Sequence, residues 1–390
     1  MKRTAILLAA GALGLSVLAG CSAKPVTNAP DAGAAGDTVK IGLNYELSGP
    51  VASYGQASVA GIKLAAEEIN AAGGINGKQI ELVSYDTKSD TAEATTLATK
   101  LMAQDKVVTV IGPATSGGMK AQIQVAEKNQ VPVVSGSSTA DDLTVTNGKL
   151  NEYVFRTCFN DSFQGTSAAN YSSEKLGATT AVIIKDNSND YSKGLATSFD
   201  AQFKANGGSI VAEEAYATGE RNFNSILTKI KGQSFDVIYL PGYYEEAGPA
   251  IKQARELGIT APILGGDGYD SPKLAEAAGA GLTDVYFTNH YSSEDHDPKV
   301  VEFIAAFKKA NGADPNAFNA LGYDTLKFVA DAVSRAAEPT GSAVKDAMAD
   351  TKDFVGVTGT FSMDPSTHNP VKSIVFIGYK DGVIAVTEKA

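Results

Sequence analysis

Short apolar runs alternate with amphipathic stretches along most of the chain. Residues 39–45 read as a strand. Residues 56–72 read as a helix, with Val59, Ile62, Ala66 and Ile69 on one face at helical spacing until Gly73-Gly74 stops it. A strand over 80–85, a helix over 91–104, a strand over 107–111, a helix over 119–129 and a strand over 131–135 come next. A second series begins after Asn160, with strands over 181–185, 209–215, 237–240, 262–264 and 285–288. Its helices span 163–176, 194–206, 222–230, 246–257 and 272–278. Helices over 298–311 and 319–337 and strands over 374–379 and 383–386 complete the pattern. Such alternation defines an α/β chain with mainly parallel sheets. Two series imply two lobes, each a sheet flanked by helices.

The pattern pivots on 107–120, VVTVIGPATSGGMK. Five β-favouring residues suit a central parallel strand buried on both faces. The small residues Ala114, Thr115, Ser116, Gly117 and Gly118 then open a helix whose first N–H groups are free to meet an anion. Ser116 is equally suited to cap that helix.

The first residues stand apart. Lys2 and Arg3 precede an apolar segment over 5–17, too short to span a bilayer comfortably, which ends Leu18-Ala19-Gly20-Cys21. This resembles a bacterial lipoprotein signal over 1–20, with Cys21 as the lipid attachment site. Residues 21–37, rich in Ala, Gly and Pro, read as a flexible tether. Losing Lys2 and Arg3 from a chain of 33 basic and 44 acidic residues takes the formal net charge from −11 to −13. That acidity argues against nucleic acid and against polybasic membrane attachment. Cys158 alone remains; with no cysteine to pair with, it reads as a small buried hydrophobe.

Ligands of open α/β sheets bind beyond the carboxyl ends of the strands. In the first series those positions hold Ser48 to Gly55 (SGPVASYG), then Ala114, Thr115 and Ser116, then Gly136, Ser137, Ser138 and Thr139. In the second they hold Tyr191 after a polar loop, Tyr243 after Pro241-Gly242, and Asp267 after Gly265-Gly266. One series offers hydroxyls and free amides, the other aromatic rings and a carboxylate. Each residue also has an ordinary structural use. Thr139-x-x-Asp142 looks like a capping-box variant, the tyrosines could be half-buried packing residues, and Asp267 sits where turns favour Asp.

The stretches SGPVASYG, GIKLAAEEINAAGGINGK, VIGPATSGG, VPVVSGSSTADDLT, KDNSNDYSKGLA, DVIYLPGYYEE and ILGGDG resemble the leucine/isoleucine/valine-binding family of ABC-transporter substrate-binding proteins. The resemblance runs from about Thr38 to the C-terminus. It implies a type I periplasmic-binding-protein fold with lobes over 38–157 plus 289–361 and 158–288 plus 362–390. A hinge of three crossings, near Thr157, Thr288 and Phe361, would join them. It also implies that a bound amino acid places its carboxylate on Ser116 and on the Thr139 N–H. The ammonium would meet the Ser137 carbonyl, the Thr139 hydroxyl and Asp267. Tyr54, Tyr191 and Tyr243 would line the cleft, with Ala114 and Thr115 beside the ligand and Phe318 near the hinge. The implied partners are ABC permease subunits, with the protein a monomer held by lipid on the extracytoplasmic face of the membrane. Asp267 stands where many relatives carry Glu.

Two other functions are open to such a chain. A hydrolase needs an activated nucleophile. There is no G-x-S-x-G elbow, and none of His290, His296 and His368 falls at a strand end matching Ser116. Asp295-His296-Asp297 reads as a solvated acidic loop rather than a metal site, and no metal or cofactor motif is found. A sensor module would use the same fold and site. Within the family the ligand is read as leucine, isoleucine or valine, with another amino acid, an amide or an aromatic acid as the alternative.

Overall fold

The computed structural model describes residues 38–390. The lipoprotein-like leader, Cys21 and the tether lie outside the described residues.

Two sheets organise the chain. The first takes β1 (Val39–Tyr45), β2 (Ile80–Asp86), β3 (Thr109–Ile111), β4 (Val133–Ser135) and β5 (Val154–Arg156) in the order β2-β1-β3-β4-β5, all parallel. The second takes β6 (Thr180–Asp186), β7 (Ser209–Tyr216), β8 (Val237–Tyr239), β9 (Ile263–Gly265), β10 (Val285–Asn289), β11 (Val375–Lys380) and β12 (Val383–Lys389). Its order is β12-β11-β10-β9-β8-β6-β7, with β11 and β12 antiparallel at one edge. The expected two-lobed α/β architecture is therefore present. The pivotal strand sits between β1 and β4 with every residue buried, as a run apolar on both faces requires. Its ordered pairing starts at Val108, whose N–H donates to the Lys40 carbonyl at 2.9 Å.

Several boundaries move. Helix α1 runs Ala52–Ala71, four residues earlier than the apolar spacing suggested, so Tyr54 lies in its first turn. Likewise α5, Asp190–Ala205, starts early enough to carry Tyr191 in its first turn. The pattern did not reveal β5, the helix Gly341–Ala349 or the short hairpins around 145–150 and 354–361. Elements this short carry little periodicity.

Helix α10, Ala317–Arg335, opens on a capping box formed by Asn316 and Asn319 and packs along α1. The two helices meet through reciprocal notches. A Cβ on Gly61 would lie 1.9 Å from the Asn319 carbonyl oxygen, and one on Gly322 would lie 2.2 Å from that of Ser58. Backbone thus touches backbone where α1 crosses α10.

Residues 363–370 form a small hairpin against β5. His368 stacks on Phe155 with ring centroids 3.9 Å apart, and its Nδ1 lies 3.0 Å from the Val154 carbonyl. Beyond it, the Lys372 ammonium donates to the Thr157 carbonyl at 3.1 Å and to the Thr358 hydroxyl. Cys158 is buried, and burial pushes its thiol up to about 12. It is packing material.

Candidate functional site

The first wall of the site is built where α3, Ser116–Asn129, leaves β3. Thr115 is the N-cap, its hydroxyl accepting from the Gly118 N–H at 3.4 Å, so Ser116 is the first helical residue and not the cap. The Ser116 oxygen accepts from the Thr139 N–H at 3.2 Å and the Ala140 N–H at 3.1 Å. With both lone pairs engaged, its hydroxyl hydrogen is left to donate into the cavity that Ser116 lines.

The loop after β4 is stitched to this turn by serines. The Ser135 hydroxyl donates to the Pro113 carbonyl at 2.8 Å, and that of Ser137 to the Ala114 carbonyl at 3.0 Å. Residues 139–143 form no helix, so Thr139-x-x-Asp142 is not a capping box. Thr139 is fully buried one layer behind the cavity, its N–H spent on Ser116 and its hydroxyl without a partner. The loop depends on Arg156. This buried guanidinium donates to the carbonyls of Thr139 at 2.7 Å, Ala140 at 2.8 Å and Ser138 at 3.3 Å. Nothing in the local sequence pattern marks that role.

The second wall comes from the other sheet. Asp267 opens a short 3-10 turn after β9 and is buried. One carboxylate oxygen accepts from the Tyr191 hydroxyl at 2.7 Å, and the other lies 2.9 Å from Nε2 of His290, which therefore carries the proton. The Gly268 N–H in turn donates to the Tyr191 oxygen at 3.0 Å. His290, read in the sequence as falling at no strand end that matches Ser116, comes directly after β10 and stacks on Phe159 at 3.6 Å. Burial holds its pKa below the ordinary 6.5, against the pull of Asp267. A neutral ring orients the carboxylate without cancelling its charge. A second acid lies within electrostatic reach: Asp161, fully buried, has neither oxygen hydrogen-bonded. Burial pushes it well above the usual carboxylate range, and the acids Asp141 and Asp267 nearby push the same way.

Aromatic rings join the walls. Tyr54 stacks on Phe318 at 4.4 Å and meets Tyr243 edge-on at 5.6 Å, while Tyr191 stacks on Tyr243 at 5.3 Å. The two sides also bond directly. Tyr54 donates to the Gly268 carbonyl, Tyr244 donates to the Pro50 carbonyl at 2.8 Å, the Ser53 and Ser271 hydroxyls lie 2.8 Å apart, and Lys120 pairs with Asp190 at 2.8 Å.

Tyr54, Ala114, Thr115, Ser116, Ser137, Tyr191, Tyr243, Asp267 and Phe318 all line this one cavity, together with Gly268. Of the ligand-contacting residues that the resemblance implied, Thr139 is the one that does not line it. About 240 Å³ of space, open in part to solvent, lies between these residues. Among the described residues no group of three His, Cys, Asp or Glu side chains is placed to hold a metal ion.

The buried histidine has a consequence for stability. A histidine whose folded pKa is depressed leaves stability complete above its unfolded value near 6.5 and loses it as pH falls from there toward the folded value. His368 shifts the same way for the same reason, and the raised carboxyls of Asp161, Asp270 and Asp324 act oppositely, adding stability as pH falls toward their unfolded value near 3.8. Midpoints measured from pH 7.5 to 5.5 for the parent and His290→Gln should therefore diverge, the parent losing up to about 1.4 kcal/mol more per pH unit. Parallel curves would mean that His290 does not titrate between folded and unfolded states.

These features define a class: a two-lobed α/β protein with a small polar-ended, aromatic-walled cavity at the carboxyl edges of both sheets. A family model described as periplasmic binding protein matches residues 38–382, and the chain belongs to that family. A Pseudomonas aeruginosa protein described as leucine-, isoleucine-, valine-, threonine- and alanine-binding is 30% identical over 330 residues, covering 85% of this chain and 87% of that one. Two solved structures are similar throughout. One is a branched-chain amino acid transporter substrate-binding protein from Streptococcus pneumoniae in complex with isoleucine (44% identity, TM-score 0.86, 91% and 99% of the two chains). The other is a leucine-binding protein from Thermotoga maritima (33% identity, TM-score 0.84, 90% and 98%). The resemblance read from the sequence holds for family and fold.

Proposed function

We propose that the protein is a lipid-anchored extracytoplasmic receptor that closes its lobes on leucine, isoleucine or valine and delivers it to an ABC permease. The observation that carries this is the split polarity of one cavity. A hydroxyl donor at a helix N-terminus faces it from one lobe, a carboxylate faces it from the other, and aromatic rings fill the space between. An amino acid's carboxylate suits the first end and its ammonium the second. No lysine or arginine lines the cavity, so a second carboxylate on the ligand would lack a partner. In this reading Ser116 takes the carboxylate, while Asp267, the Ser137 carbonyl and the Thr139 hydroxyl take the ammonium. The lobes hinge near Thr157, Thr288 and Phe361, and the protein works as a monomer. The Ser116 hydroxyl has two backbone amides as partners and no general base, which supports binding rather than hydrolysis.

The test is calorimetric titration of ligand-stripped protein with leucine, isoleucine and valine, alongside acidic amino acids, amides and benzoate. The three aliphatic ligands should bind and the acidic ones should not. Ser116→Ala should weaken isoleucine about tenfold, the equivalent of one hydrogen bond to a charged group. If benzoate or an amide binds and no amino acid does, the ammonium end is misassigned.

A further inference from the structure

Glu46 is the first residue beyond β1 and is 2% exposed. Burial pushes the Glu46 carboxyl above the usual carboxylate range, and hydrogen bonds from the turn that presents Ser116 pull it back toward the ionised form. One oxygen accepts from the Ala114 N–H at 2.9 Å, the other from the Thr115 N–H at 3.1 Å and the Thr115 hydroxyl at 2.7 Å. That same Thr115 hydroxyl caps α3 through Gly118. The backbone of Glu46 is held in turn by α1, because a Cβ on Gly55 would lie 2.1 Å from the Glu46 carbonyl oxygen. Glu46 thus ties together two cavity-lining elements, the helix carrying Tyr54 and the turn carrying Ala114 to Ser116.

The chemistry of a helix N-terminus gives this arrangement a consequence. The amides there form an array that any anion can use. Glu46 already occupies those of Ala114 and Thr115, which leaves the Ser116 end of the array and its hydroxyl as the donors facing the cavity. Resting on the amino-acid reading above, we propose that Glu46 is a positioning residue: a resident anion that occupies the outer amides of the α3 turn and so sets where the ligand's carboxylate lands. Without it the ligand carboxylate can slide toward the vacated amides, and the aliphatic side chain shifts against Tyr54, Tyr243 and Phe318.

Glu46→Gln keeps the shape but turns one acceptor into a donor that opposes an N–H, and Glu46→Ala empties the position. Calorimetry with leucine, isoleucine and valine on the parent and both variants tests the idea, with thermal midpoints confirming folding. Each variant should bind isoleucine about tenfold more weakly. The preference among the three ligands should change by threefold or more, and formate should restore the parent's preference in Glu46→Ala alone. A folded variant that keeps the parent's affinities overturns the proposal. So does one that weakens all three ligands by a common factor and does not respond to formate, because that is the signature of mere loosening. If the parent itself binds none of the three, the amino-acid reading has failed before any variant is compared.

Discussion

Asp267→Asn is expected to lower the affinity for isoleucine by about 10- to 150-fold, the equivalent of roughly 1.5–3 kcal/mol for one charged hydrogen bond. The substitution is close to isosteric and both existing partners survive it. The Asn oxygen can accept from Tyr191, and its amide can face His290 once the ring carries its proton on Nδ1, which has no partner in the present arrangement. The fold therefore stands, and what disappears is the negative charge at the end of the cavity assigned to the ammonium. Calorimetry reads the loss, and a thermal midpoint close to the parent's shows that it is not unfolding. A second effect has a definite direction. Asp161, also buried and within electrostatic reach of Asp267, is relieved of a like charge and becomes easier to ionise. An affinity within twofold of the parent would remove Asp267 from the ammonium end altogether.

Gly61→Ala is expected to have the largest effect on stability. The added methyl carbon would fall 1.9 Å from the Asn319 carbonyl oxygen and 3.0 Å from the Tyr323 nitrogen, both backbone atoms of α10. No rotamer change relieves a clash with backbone, so the helices must separate. Overpacking of this kind costs typically about 1–3 kcal/mol, and this contact lies at the upper end. At about 2–4 °C per kcal/mol, the midpoint should fall by roughly 6–12 °C. Gly232→Ala is the control, since its nearest neighbour is 4.0 Å away and its backbone is right-handed helical. That variant should melt with the parent. Because α1 carries Tyr54 and α10 carries Phe318, moving the helices apart also disturbs the 4.4 Å ring stack that floors the cavity, and affinity for isoleucine should fall with stability. A Gly61→Ala protein as stable as the Gly232→Ala control would show that the notch can widen at no cost.

Much of the site was legible because its elements are local. In an open α/β lobe every strand delivers its last residues to the same edge, so the polar residues just beyond each apolar run are the side chains that the fold brings together. Ser116 comes after β3, Ser137 after β4, Tyr243 after β8 and Asp267 after β9, and all four line one cavity. Boundaries were less legible where tertiary contacts overrule propensity. Helix α1 begins at Ala52 although its first turn has no capping side chain, because that turn packs against the far wall through Tyr54.

The sequence alone determined the α/β class, the two series of strands and helices, and the chemical types waiting at their ends. Those rest on periodicity and on residues a few positions apart. Only the tertiary structure decided which groups orient which. Arg156 reaches back to the carbonyls of residues 138–140, Glu46 reaches the amides of Ala114 and Thr115, His290 reaches Asp267, and Gly61 accepts the backbone of Asn319. Each pairing joins residues separated by many positions and leaves no periodic trace, because a hydrogen bond or a backbone contact is specified by where two elements cross in space. The residues that line the cavity were thus readable one at a time. The groups that hold them in place were not.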